Sequence, residues 1–179
     1  MCMKLATTVA FLAWLLLGAC SPSQLEALPA TVPTVPARDS TPSLPGIAQV
    51  PSEISSSASW IEVNLQKQTL ILHEGSMPVR EYPASTGVAS DPKYATPPGL
   101  YRVQSKEKGP IENVPGVFVS DIIMFDIGNG NGIHSRPMDA QGGILDATLG
   151  KPMTAGCVRV ADSSTVFEFS QIGMWVWIH

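Results

Sequence analysis

The chain has no basic cluster. Its 11 lysines and arginines are scattered and outnumbered by 15 aspartates and glutamates, for a formal net charge of −4. A nucleic-acid partner is therefore not expected, since binding phosphates takes a concentrated positive surface. Cysteine is scarce, occurring only at positions 2, 20 and 157, which excludes a disulfide-stapled scaffold. Histidine is equally sparse: His73, His134 and His179 stand at no metal-ligand spacing, so no metal or other cofactor is expected. Long apolar runs are missing too. The longest, Leu5 to Ala19 behind Lys4, is too short to cross a bilayer comfortably but suits the apolar stretch of a secretory signal.

That run ends Leu17-Gly18-Ala19-Cys20, which resembles the bacterial lipobox. The resemblance implies that residues 1–19 are a signal peptide and that Cys20 becomes the lipidated first residue of the mature chain. Ser21, where an aspartate would retain the protein at the inner membrane, implies the outer membrane of a Gram-negative bacterium and a position on its periplasmic face. The alternative is an ordinary cleaved signal ending in small residues. From Ser21 to about Ser57 the composition turns to Pro, Ser, Thr and Ala without an apolar period, and no core can be built from it. Residues 20–58 are thus expected to be a lipidated, disordered tether. At about 3.1 Å per residue, such a proline-rich chain reaches on the order of 100 Å when extended.

Residues 59–179 are enough for one domain and too few for two. Trp60–Leu65 and Thr69–His73 read as a hairpin, continued by 78–82, 100–103 and 116–125, with 104–115 left as a variable loop. One helix is convincing. Asp162 and the hydroxyls of Ser163, Ser164 and Thr165 can cap its start, Gly173 can end it, and Val166, Phe169 and Ile172 would share its buried side. Met174–Ile178 closes the pattern as a strand. The expected fold is mainly β, an antiparallel sandwich or barrel with one packed α-helix.

The chemistry concentrates in two short stretches, Gly132-Ile133-His134-Ser135 and Thr154-Ala155-Gly156-Cys157-Val158-Arg159. With Cys2 in the discarded leader and Cys20 lipidated, Cys157 is a thiol without a partner in an oxidising compartment. Beside glycine, at the start of an alternating strand, it is placed to be reached by a substrate. His134 can take its proton, and Arg159 can hold an anionic group. A thiol, an imidazole and a guanidinium together point to a cysteine acyltransferase.

The segments "STG", "TPPGLY", "GIHS" and "AGCVRV", followed by a short capped helix and a final strand, resemble the YkuD-type L,D-transpeptidase catalytic domain in order and spacing across residues 60–179. The resemblance implies Cys157 as nucleophile, His134 as general base oriented by the carbonyl of Ser135, and Gly156 with Cys157 as amide donors to an oxyanion. It also implies that Arg159 and Thr154 contact the substrate and that the segment from Arg136 to Lys151 folds back as a lid. A structural ion pair with a carboxylate such as Asp162 is the competing role for Arg159. The implied substrates are peptidoglycan stem peptides, the implied contact with the membrane is the lipid anchor, and a monomer is expected. Ala155 departs from the family, where histidine often precedes the glycine. The acceptor is left open among a second stem peptide, water and a protein lysine, and a catalytically weak peptidoglycan-binding lipoprotein is the alternative of a different class.

Overall fold

Alternating side chains dictate the architecture. In β1 (Ser59–Asn64), Ile61 and Val63 are fully buried on one side while Trp60 faces the other, as expected of a strand whose neighbouring side chains point oppositely. Leu70 and Leu72 of β2 (Thr69–Glu74) join the same core, and β3 (Met77–Ser85) extends the meander by antiparallel pairing. The computed structural model describes residues 49–54 and 58–179, all within one compact unit, Leu44–His179. The signal peptide, Cys20 and most of the tether lie outside the described residues. Packing reaches further back than position 59, because the apolar Ile54 is buried against Trp60 and Trp177.

Eight further strands and a helix follow, and three of the expected elements are corrected. The segment left as a variable loop contains β5 (Ser105–Glu107) and β6 (Ile111–Val114), the strands after β4 (Gly99–Arg102). The single strand expected over 116–125 is two, β7 (Val117–Val119) and β8 (Ile122–Asp126), because Asp121 takes φ 55 between them. A 3-10 turn, Ile127–Asn129, leads into β9 (Asn131–His134), and β10 (Val158–Val160) comes after a long loop. The helix α1 (Ser163–Phe169) starts as predicted, with the Asp162 carboxylate accepting from the Thr165 amide. It stops early. Lys106 donates to the Phe167 and Ser170 carbonyls at 2.6 Å each, Ser170 is extended, and Ile172 is exposed. Gly173 then serves the turn into β11 (Trp175–Ile178).

Nine strands form one sheet in the order β4-β11-β1-β2-β3-β10-β9-β8-β5, while β6 and β7 form a separate hairpin. Most pairings are antiparallel, but β1 pairs with β11, and β9 with β10, in parallel. The sheet curls at β3 so that its halves face each other. Ile61, Val63, Leu70, Leu72, Val176 and Ile178 from one half meet Ile123, Phe125, Ile133, Val158 and Val160 from the other, and Val166 of α1 joins them. Each such side chain fully withdrawn from water contributes about 1.5–3 kcal/mol. This core holds β9 and β10 in register, and on those two strands the reactive residues stand.

Candidate active site

Strand geometry decides which side chains share the site. β9 and β10 pair with Val158 opposite Ile133 and Arg159 opposite His134. Ile133, Val158 and Val160 are fully buried in the core, so alternation sends Gly132, His134, Cys157 and Arg159 to the opposite side. The 23 residues separating His134 from Cys157 in sequence are thereby cancelled by adjacency of two parallel strands. Both side chains are half-buried.

The tautomer of His134 follows from its partner. Its Nδ1 lies 2.7 Å from the Ser135 carbonyl, and because a carbonyl only accepts, Nδ1 carries the proton and Nε2 keeps the lone pair. Ser135 is itself held: its amide donates to the Ser120 carbonyl at 3.0 Å, its Oγ donates to the Arg136 carbonyl and accepts from the Ser120 amide. Burial pushes the imidazole pKa down, the Ser135 carbonyl opposes this, and the nearby Arg159 charge lowers it further. Burial raises the Cys157 thiol, with a backbone hydrogen bond from Gly132 counteracting. The resting pair is therefore neutral thiol and neutral imidazole, and the thiol donates weakly to the Gly130 carbonyl at 3.6 Å.

The four segments of the sequence motif converge on the backbone around Cys157. The Thr86 carbonyl accepts from the Met153 and Thr154 amides, and Val88 donates to the Thr154 carbonyl. Gly87 runs so close to the 94–96 backbone that a Cβ there would stand 2.0 Å from the Tyr94 carbonyl oxygen. Thr96 donates to the Gly156 carbonyl at 2.9 Å, and Thr154 commits its hydroxyl proton to the Cys157 carbonyl at 2.5 Å. Gly156 has φ +110, and a Cβ would lie 2.2 Å from Oδ1 of Asn131, so no other residue fits before the cysteine.

Arg159 is paired, with a partner other than Asp162. Its Nη1 lies 2.6 Å from an Asp146 carboxylate oxygen. The Thr148 amide and Arg159 hold that carboxyl down to about 2, so the pair stands from neutral pH down to about that value. Asp146 belongs to the segment expected as a lid, which the Gly150 amide also ties to the Ala84 carbonyl. Ala155 lines a cavity of about 350 Å³ shared with Lys93, Pro97 and Asn131, so the small residue borders open space two positions before the cysteine in sequence. Sequence reasoning missed Asp146, Asn131 and any role for Thr96. Thr96 was visible inside "TPPGLY", whereas nothing local marks Asp146 as the partner of a residue 13 positions away. His73 and His179 lie apart from this site, both hydrogen-bonded to Glu62.

A curled β-domain thus carries a free thiol and a histidine of fixed tautomer on the same side of two adjacent parallel strands. Residues 58–178 match the YkuD family, described as the L,D-transpeptidase catalytic domain, and the chain belongs to that family. Among solved structures it resembles an L,D-transpeptidase from Mycobacterium smegmatis, at 17% identity and TM-score 0.52 over 68% of this chain and 58% of that one. An L,D-transpeptidase from Mycobacterium tuberculosis H37Rv is 23% identical, with TM-score 0.54 over 68% and 57%. One from Xylanimonas cellulosilytica is 23% identical, with TM-score 0.52 over 75% and 65%. At these identities the likeness is one of fold, and this chain spans less than two thirds of each of the three. No curated protein matches.

Proposed function

We propose that this domain is a peptidoglycan L,D-transpeptidase working through a Cys157 thioester. His134 Nε2 takes the thiol proton as sulfur attacks the carbonyl that follows the L-centre of a stem-peptide diamino acid. The oxyanion forms against the Gly156 and Cys157 amides. The proton passes to the departing terminal D-residue, leaving an acyl-sulfur bond, and an amine then attacks the thioester and restores the thiol. The observation that carries this reading is the Nδ1–H bond from His134 to the Ser135 carbonyl, which leaves the other ring nitrogen as a base on the side of the sheet that carries Cys157.

The test is mass spectrometry of the full chain after incubation with a disaccharide-tetrapeptide, with and without an amine acceptor. An acyl adduct on Cys157 and an amide product are expected, whereas tripeptide released with the amine ignored would mean that water is the acceptor. Absence of any adduct would leave a binder and overturn the reading.

Arg159 fits the free carboxylates of such a peptide, with Asp146 as the internal competitor for its guanidinium. Asp146→Asn is then expected to lower KM for a tetrapeptide severalfold with kcat little changed. An unchanged KM would leave Arg159 as an anchor for the loop. We further propose a lipid anchor at Cys20, with the proline-rich tether carrying the catalytic head away from the outer membrane. Fatty-acid labelling lost in Cys20→Ser is the expected result, and label retained in that variant would refute the anchor.

A further inference from the structure

We infer that Thr96 is a positioning residue for acyl transfer, holding the Gly156–Cys157 peptide so that the Cys157 N–H meets the developing oxyanion. The inference rests on the transferase reading above and assigns it a residue outside the Cys-His pair. Thr96 is 3% exposed. Its single hydroxyl is used in both senses: it accepts from the Gly87 amide at 2.8 Å and donates to the Gly156 carbonyl at 2.9 Å. With the Gly87 amide on one lone pair, the hydroxyl keeps its proton on the Gly156 carbonyl and tethers that peptide to the Gly87 backbone.

A trans peptide carries its C=O and N–H on opposite edges of one plane. Anchoring the Gly156 carbonyl on a buried hydroxyl therefore turns the Cys157 N–H away from that hydroxyl. Among the described residues that N–H has no acceptor, which leaves it available to a ligand. Gly156 has no side chain and a φ of +110, so its own conformation does not restrain the plane, and an outside restraint is required. Thr154 clamps the next carbonyl, that of Cys157 itself, within the same turn. Thr96 acts from 60 residues away and ties the "STG" and "TPPGLY" segments to the nucleophile.

Two reactions of the same sulfur separate this role from a merely structural one. An aryl ester such as p-nitrophenyl acetate acylates Cys157 through a tetrahedral oxyanion and releases nitrophenolate. Iodoacetamide alkylates it by forming an S–C bond as the C–I bond breaks, with no oxyanion at any stage. In the full chain, Thr96→Val is expected to slow acylation about 10- to 100-fold while alkylation stays within about twofold. Thr96→Ser, which keeps the hydroxyl, is expected to restore acylation. If the valine variant does not fold, Thr96→Ala, with space for a bridging water, takes its place under the same two readouts. Equal losses in both reactions, or acylation untouched in the variant, would overturn the inference. Wild-type protein that is alkylated but never acylated would instead overturn the transferase reading on which it rests.

Discussion

Cys157→Ala is expected to lower product formation by at least about a thousandfold and to eliminate the acyl adduct, because among the described residues Cys157 supplies the only thiol at the site. Removing a nucleophile commonly costs that much or more, and what survives comes from binding and oxyanion donors alone. Cys157→Ser is expected to fall nearly as far. A serine hydroxyl is a far weaker acid than a thiol, and His134, its basicity reduced by burial and by the Arg159 charge, is a poor match for it. Neither substitution touches the core, since Cys157 is half-buried on the side of β10 opposite Val158 and Val160. Unfolding temperature should therefore stay close to wild type, which separates chemistry from stability. The adduct mass and the melting curve of each variant check this, and an adduct on the alanine protein would defeat the assignment.

His134→Gln should produce the second-largest loss, about a hundredfold to ten-thousandfold near neutral pH, and its pH dependence carries more information than its size. In the wild type the imidazole is shifted below its ordinary range and the thiol above its own. As pH rises from acid, His134 loses its proton first, so the acylation rate should climb below about pH 6.5 and then level off. Only at higher pH, beyond the thiol's ordinary range because burial raises it, does direct ionisation of the sulfur add a further rise. Glutamine cannot accept the proton, so the variant should show no plateau. Its rate should grow tenfold per pH unit through the neutral range, tracking thiolate alone, and approach the wild type only in strong base. Rates of acylation between pH 5 and 10 test this. A variant that keeps the acid limb would assign the base to another group.

Local patterns in the chain were enough for much of the fold. β1, β2 and β11 are short runs of alternating or branched apolar residues, β3 and β4 are mixed and largely exposed or half-buried, and the Asp162 cap announced α1. Failures came where a distant residue overruled the local preference. The apolar spacing of the helix continues to Gly173, but Lys106 of β5 takes the last carbonyls and ends it at Phe169. Residues 116–125 looked like one strand because the φ 55 at Asp121 leaves no trace in an apolar run. β5 and β6 are short and polar, and pairing with β8 and β7 is what makes them strands.

The same division holds at the site. Residue type and order point to Cys157 and His134, and the family resemblance adds Ser135 and Gly156, because a thiol, an imidazole, a carbonyl and a glycine are requirements of residue type, and residue type is written in the chain. Which partner Arg159 holds, which hydroxyl restrains the Gly156 carbonyl, and which face of the sheet the thiol occupies were decided only by tertiary structure. Those are matters of angle and register between strands far apart in sequence. A parallel pairing of β9 with β10 and a curl at β3 set them, and the buried core that enforces both draws on every strand of the larger sheet except the edge strands β4 and β5.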